Sequence, residues 1–143
     1  MVLRIVVADD HSIVRRGVRA LLESHQGWRV CGEAGTGREA VRQVRRLKPD
    51  LVILDISMPD LNGFNVARQC RDAAPEAKVV ILSMYESEHA IREALEAGAK
   101  AYVSKADLDR DLLIAIQLAA QNKTFFSSKV SQLVVKVYME RSL

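Results

Sequence analysis

The chain has 143 residues, of which 49% are hydrophobic and 27% are charged, and its net charge is +3. This length suits one domain with a substantial core, and the sequence offers neither a membrane-spanning apolar run nor a signal peptide. The net charge is too small to indicate nucleic-acid binding by itself.

Apolar runs and amphipathic stretches alternate along the chain. The runs predicted as strands are Leu3–Ala8, Trp28–Cys31, Leu51–Leu54, Val79–Leu82 and Ala101–Val103. Each run precedes a segment whose apolar residues recur at helical spacing. Ser12 is expected to cap the first helix and Thr36 the second. Five strand–helix repeats predict a mainly parallel sheet with helices on both faces.

Polar residues follow or end four of the predicted strands. They are Asp9, Asp10, Asp55, Ser83 and Lys105. Ligand sites in such sheets lie beyond the carboxyl ends of the strands, so these residues are expected to meet there. Three neighbouring carboxylates repel each other unless a cation joins them, and oxygen ligands suit Mg²⁺. Asp55 is therefore a candidate nucleophile for phosphoryl transfer, with Lys105 as its positive partner and Ser83 as a hydrogen-bond donor.

Two alternative interpretations explain fewer of these residues. The segment GTGREA, residues 35–40, matches a dinucleotide-binding fingerprint but leaves the acidic residues and Lys105 without a role. An aspartate-nucleophile phosphohydrolase also uses Mg²⁺, but it carries DxD on its first strand, where this chain has Asp-Asp-His. His11 in that segment is expected to be a solvated residue beside the start of a helix.

The segments VVADDH, LVILDISMPDLNG, VVILSM and GAKAYVSKA resemble the marker segments of response-regulator receiver domains in bacterial two-component signalling. The resemblance runs from about residue 3 to residue 121 and is closest to the NarL/FixJ (LuxR-type) subfamily. It implies a flavodoxin-like, doubly wound (βα)5 fold of the α/β class, with a parallel five-stranded sheet in the order 2-1-3-4-5. It also implies a signalling domain that is no enzyme beyond catalysing its own phosphoryl transfer and dephosphorylation.

The resemblance also assigns roles in phosphorylation and metal binding by position. Asp55 would be the phosphoacceptor, and a sensor histidine kinase would be the phosphodonor. Mg²⁺ would be bound directly by Asp10, Asp55 and the backbone carbonyl of Ser57, while Asp9 would act through water.

Ser83 and Lys105 would contact the phosphoryl group, according to the same resemblance. Tyr102 would be an aromatic switch residue, turning inward as Ser83 is drawn to the phosphate. Ala106 follows Lys105 where the family commonly has a cis proline, which puts a cis bond in doubt because such bonds are costly without proline. Met84 follows Ser83 where many relatives have a small residue, and it is expected to narrow access to the site.

The tail has a pattern of its own. Residues 1–122 are assigned to the receiver domain and residues 123–143 to a C-terminal helical linker. One helical stripe is predicted there, made of Val130, Leu133, Val134, Val137 and Tyr138. A helix packed on its own domain would explain the stripe, whereas the resemblance implies a linker toward a helix-turn-helix output domain missing from these residues.

Two functions follow from these interpretations. The first is the receiver of a transcriptional regulator that contacts DNA only through the missing domain, with homodimer formation or interdomain release as the output. The alternative is a stand-alone regulator that binds a protein target through the face around Tyr102 when phosphorylated. Cys31 and Cys70 lack metal-ligand spacing and are interpreted as free thiols, so the expected location is the cytoplasm, with no membrane partner.

Overall fold

The structure is a computed structural model that describes residues 2–141, and its centre is one sheet of six parallel strands. The strands are β1 (Leu3–Ala8), β2 (Trp28–Ala34), β3 (Leu51–Asp55), β4 (Lys78–Ser83), β5 (Ala101–Ser104) and β6 (Phe125–Phe126). Their order is β2-β1-β3-β4-β5-β6. This order confirms the doubly wound α/β sheet predicted for the first five strands, and β6 is an addition that the sequence analysis did not predict.

Helices cover both faces of this sheet. They are α1 (Ser12–Glu23), α2 (Gly37–Leu47), α3 (Gly63–Ala73), α4 (Glu88–Glu96), α5 (Leu108–Ala120) and α6 (Ser128–Arg141). Successive side chains of a strand point to opposite faces. In β1, Ile5 and Val7 therefore join the core beneath α1 and α5, whereas Val6 and Ala8 join the core beneath the other four helices.

The helix starts confirm one capping prediction and correct the other. The Thr36 hydroxyl accepts a hydrogen bond from the N–H of Glu39 at 3.1 Å, as a helix cap should. The prediction for Ser12 was wrong, because Ser12 is the first helical residue and His11 occupies the cap position without a side-chain capping bond. The side chain that binds the N–H of His11 is instead that of Asp9, at 2.8 Å.

The C-terminal segment that contains β6 and α6 packs on the rest of the domain. β6 pairs with β5, with Phe125 opposite Ala101 and Phe126 opposite Tyr102. Val130 and Val134 of α6 then pack in the same core cluster as residues of α4. The assignment of residues 123–143 as a linker stays a prediction, and residues 142 and 143 lie outside the described part. Within residues 2–141, no helix combines the length and the apolar character needed to cross a membrane.

Candidate functional site

The polar residues predicted beyond the strands lie together at one edge of the sheet. β1 and β5 run directly into such residues, and β3 and β4 end on one. The parallel direction of these strands brings their carboxyl ends side by side. Asp9, Asp55 and Ser83 are completely buried there. Because a buried charge is costly unless it is paired, both carboxylates need compensating contacts.

Asp55 is held by one contact on each carboxylate oxygen. Its Oδ1 accepts a hydrogen bond from the backbone N–H of Ser57 at 3.0 Å, and its Oδ2 accepts one from Nζ of Lys105 at 3.0 Å. Burial raises the pKa of Asp55, and this effect outweighs the opposing effects of the Ser57 N–H and the Lys105 ammonium. Ser57 thus contacts Asp55 through its N–H, while metal binding by its carbonyl stays a prediction.

Lys105 is the positive charge of the site. Its side chain is only 7% exposed, and Nζ lies 3.0 Å from Oδ2 of Asp55 and 3.0 Å from Oδ2 of Asp9. Only the contact with Asp55 has the geometry of a hydrogen bond. Burial lowers the pKa of Lys105, but the attraction of the two carboxylates outweighs burial and the pKa is raised. The residue therefore carries its charge between two buried carboxylates.

The carboxylates of Asp9 and Asp10 are suited to a divalent cation. Oδ2 of Asp9 and Oδ1 of Asp10 are buried and accept no hydrogen bond. These residues, His11 and Asp55 each offer one ligand atom, and the four atoms lie within 4.8 Å of one another. Buried oxygens that accept no hydrogen bond and a carboxylate-rich donor set fit Mg²⁺, which binds through few protein oxygens. The three aspartates predicted to act at the metal are thus close enough to share one ion.

Two contacts around Asp9 were missed by the sequence analysis. The ring of His11 turns back toward the site, with Nδ1 3.2 Å from Oδ1 of Asp9 and 3.1 Å from Oδ1 of Asp10. The guanidinium of Arg15 donates a hydrogen bond to the backbone carbonyl of Asp9 at 2.6 Å and pairs with Glu33. Arg15 lies on the first turn of α1. Its closeness in sequence to the end of β1 was the available signal for a contact with Asp9.

Ser83 and Tyr102 both contact the backbone of Tyr85. The Ser83 hydroxyl donates to the Tyr85 carbonyl at 3.0 Å and accepts from the Tyr85 N–H at 2.9 Å. The Tyr102 hydroxyl donates to the same carbonyl. Tyr102 is almost completely buried, and this burial raises its pKa. The ring therefore already lies inside the protein, and one backbone carbonyl connects both residues.

Ala106 and Met84 occupy the two positions that differ from the common family pattern. Among residues 2–141 no peptide bond is cis, so the Lys105–Ala106 bond, whose geometry the sequence left open, is trans. The Ser104 hydroxyl accepts the N–H of Ala106 at 3.3 Å, at the start of a short 3₁₀ turn, Lys105–Asp107. The side chain of Met84 is 66% exposed, and its effect on access stays a prediction.

The glycine-rich segment before α2 binds a carboxylate of the protein itself. The carboxylate of Asp60, in the loop between β3 and α3, accepts the N–H of Gly37 at 2.7 Å and that of Arg38 at 3.1 Å. These bonds lower the pKa of Asp60. A dinucleotide phosphate would need the N–H groups at this helix start, which Asp60 already occupies. The contact therefore argues against dinucleotide binding at residues 35–40.

A family model and several known proteins are similar to this chain over most of its length. The family model of the response regulator receiver domain matches residues 5–117. The chain is 33% identical over 141 residues to the oxygen regulatory protein NreC of Staphylococcus epidermidis, covering 98% of this chain and 65% of NreC. It is 32% identical over 133 residues to the uncharacterized transcriptional regulatory protein YxjL of Bacillus subtilis, covering 93% of this chain and 61% of YxjL. The chain thus spans less than two thirds of these curated relatives.

A solved structure is similar over the whole chain. It is the crystal structure of a two-component response regulator of the LuxR family from Aurantimonas sp. SI85-9A1. The TM-score is 0.88 at 32% sequence identity, and the match covers 100% of both chains. The similarity therefore includes the β6 and α6 segment as well as the doubly wound sheet.

Proposed function

The chain belongs to the response regulator receiver domain family, and from that membership we propose that Asp55 accepts a phosphoryl group from a phosphohistidine of a sensor kinase. The observation that carries the proposal is a buried carboxylate that lies 3.0 Å from the ammonium of Lys105, at the carboxyl ends of parallel strands. A structural ion pair alone would not require two neighbouring carboxylates, Asp9 and Asp10, that each have a buried oxygen accepting no hydrogen bond.

The proposed reaction exchanges the P–N bond of the phosphohistidine for a P–O bond to Asp55. An oxygen of Asp55 attacks phosphorus, a P–O bond forms, the P–N bond of the phosphohistidine breaks, and the departing imidazole takes up a proton. Lys105 attracts the negative phosphoryl oxygens, and the Ser57 N–H keeps the carboxylate in position. The chain therefore catalyses only the transfer to itself and the later hydrolysis, and we propose no other substrate.

Mg²⁺ is the proposed cofactor, held by Asp10, Asp55 and the carbonyl of Ser57, with Asp9 acting through water. The bound ion supplies positive charge next to the developing phosphoryl oxygens. Support comes from the ligand atoms clustered within 4.8 Å and from the buried oxygens of Asp9 and Asp10 that accept no hydrogen bond. Lys105 offsets part of the negative charge but contacts only two of these carboxylates.

The signal is proposed to leave the site through Ser83 and Tyr102. The Ser83 hydroxyl now bonds to the backbone of Tyr85 and would turn to a phosphoryl oxygen after transfer. The Tyr85 carbonyl would then keep the Tyr102 hydroxyl as its donor, which favours the inward position of the ring. The loop between β4 and α4 is thus the proposed route from the phosphorylated edge to the surface.

We further propose that the domain controls transcription. NreC is named a regulatory protein and YxjL a transcriptional regulatory protein, and both are longer than this chain. A cytoplasmic receiver that binds DNA through a helix-turn-helix domain and dimerises when phosphorylated would fit such relatives. The alternative is a single-domain regulator that binds a protein target around Tyr102. The full coding sequence discriminates them, because only the first continues into a helix-turn-helix segment.

Phosphorylation by acetyl phosphate and Mg²⁺, followed by mass spectrometry of the intact protein, tests the proposed acceptor. We expect one acid-labile phosphoryl group on the wild type and none on Asp55→Asn. The control is Asp72→Asn, because Asp72 is an exposed aspartate on α3 and its variant should be labelled like the wild type. Labelling of Asp55→Asn at the wild-type yield would contradict Asp55 as the acceptor.

A further inference from the structure

His11 lies beside the carboxylates of Asp9 and Asp10, and the phosphoryl-transfer proposal leaves it without a role. It occupies the cap position of α1, and its side chain is 61% exposed, so solvent offers it many other orientations. Its ring nevertheless lies against the carboxylates, with Nδ1 3.2 Å from Oδ1 of Asp9 and 3.1 Å from Oδ1 of Asp10. The ring nitrogen thus belongs to the same group of donor atoms as the carboxylates.

The spacing of these donor atoms suits an octahedral cation. Metal–ligand bonds of about 2.0–2.1 Å place adjacent ligand atoms of an octahedron about 3.0 Å apart. The two distances from Nδ1 of His11 to the carboxylate oxygens of Asp9 and Asp10 are close to that value. The whole group of four donor atoms, within 4.8 Å, is also compact enough to surround one ion.

Buried carboxylate oxygens that accept no hydrogen bond are a second observation that points to a ligand here. Asp9 is completely buried, and its Oδ2 accepts no hydrogen bond, although the ammonium of Lys105 is 3.0 Å away. Oδ1 of Asp10, the atom closest to the ring of His11, also accepts none. Such atoms normally gain a donor or a cation.

We propose that Nδ1 of His11 is a nitrogen ligand that lets this site bind transition-metal divalent cations such as Mn²⁺, Co²⁺ and Ni²⁺ more tightly than an all-oxygen site would. Imidazole suits these metals, whereas Mg²⁺ prefers oxygen ligands and leaves His11 unbound. The proposal rests on the metal site of the proposed function and adds a residue that determines metal selectivity. The chain would therefore discriminate between divalent cations through one exposed side chain.

Calorimetric titration of tag-free protein with Mg²⁺ and separately with Ni²⁺ tests this role. We expect His11→Gln to weaken Ni²⁺ binding by about tenfold or more, because one inner ligand is lost. Mg²⁺ affinity should change by less than about twofold, because Mg²⁺ uses oxygen ligands. His25→Gln is the matched control, because His25 follows the opposite end of α1 and stacks on Trp28.

Several outcomes would overturn the proposal. Unchanged Ni²⁺ binding in His11→Gln, or no Ni²⁺ binding by the wild type, would exclude His11 as a ligand. An equal loss for both metals would indicate a structural effect instead, and a loss in His25→Gln alone would place the ion elsewhere. Absence of Mg²⁺ binding by the wild type would remove the metal site of the proposed function. If the wild type bound Mg²⁺ normally and His11→Gln bound Ni²⁺ as tightly as the wild type does, only the role of His11 would be excluded.

Discussion

The acidic edge, formed by Asp9, Asp10, Asp55 and Lys105, differs from the α4–α6 face in how its charges are held. At the acidic edge, Asp9 and Asp55 are completely buried and share one ammonium at 3.0 Å. Water cannot replace that ammonium, so each charge there depends on its neighbours.

The α4–α6 face combines an apolar contact with exposed ion pairs. Val130 and Val134 of α6 pack in a cluster with residues of α4. Around this contact, Lys136 pairs with Glu88 at 3.0 Å, and Lys129 pairs with Glu86 at 3.4 Å. The hydrogen bond with Lys136 lowers the pKa of Glu88. Exposed pairs of this kind contribute little, because water and salt replace the partner.

The difference separates the edge where we propose phosphoryl transfer from the face where the C-terminal helix packs. The acidic edge is fixed by strand ends in the centre of the sheet, and the loss of one charge there unbalances the others. The α4–α6 face is held mainly by buried valines, so we expect α6 to open separately from the sheet. We expect substitutions in the two regions to differ both in size and in which amides they affect.

The largest expected effect is on Lys105. Lys105→Met removes the ammonium from two buried carboxylates, and we expect a loss of about 3–5 kcal/mol of folding free energy without divalent metal. Added Mg²⁺ should restore part of the loss, because it binds the carboxylates of the folded state. Urea unfolding with and without Mg²⁺ measures both effects.

Lys123→Met is the control for this experiment. Lys123 is an exposed lysine after α5, so its replacement should leave the free energy of unfolding almost unchanged. If Lys105→Met were as stable as Lys123→Met without metal, the acidic edge would not depend on the buried ammonium, and its contrast with the α4–α6 face would disappear.

A smaller effect is expected on α6. Val137 is completely buried, and Val137→Ala should cost about 1–2 kcal/mol through lost apolar contact. Hydrogen exchange should show the loss as faster exchange of the amides of α6, while those of β1 and β3 stay protected. This pattern follows if α6 opens without the sheet.

Val135→Ala is the matched substitution on the same helix. Val135 is 57% exposed, so its truncation should leave the exchange of α6 nearly unchanged. Faster exchange in β1 and β3 after Val137→Ala would contradict separate opening and would make α6 part of one cooperative unit with the sheet.

The parallel α/β class and the composition of the acidic edge could be predicted from strand periodicity and from polar residues at strand ends, whereas the order of the first five strands was implied by the resemblance to receiver domains. β6 could not be predicted, because Phe125–Phe126 is too short to form a pattern and becomes a strand only by pairing with β5. The side chain of His11 is 61% exposed at the start of α1, as expected, but the contacts of its ring with Asp9 and Asp10 could not be predicted, since sequence identifies a residue but not the direction of its side chain. The prediction for Ser12 failed because the helix begins one residue earlier than a serine cap requires.

The contact between Asp60 and the start of α2 was also beyond sequence reasoning, because 23 residues separate Asp60 from Gly37. The N–H groups of Gly37 and Arg38 lower the pKa of Asp60. Its ionised form therefore stabilises the fold above the unfolded value of about 3.9, and this contribution is lost as the pH falls through the lower folded value. We expect Asp60→Asn to lower the urea midpoint modestly at neutral pH, because the amide keeps the shape without the charge.

The difference in urea midpoint between the wild type and Asp60→Asn should become smaller as the pH falls. As the pH falls below the folded pKa of Asp60, the wild type also becomes neutral there, so its urea midpoint should approach that of Asp60→Asn. The exposed Asp72→Asn variant should follow the wild type throughout. A difference between Asp60→Asn and the wild type that persisted unchanged in acid would assign the effect to shape rather than charge. The stability of the Asp60 loop would then not depend on its charge, unlike the stability of the acidic edge.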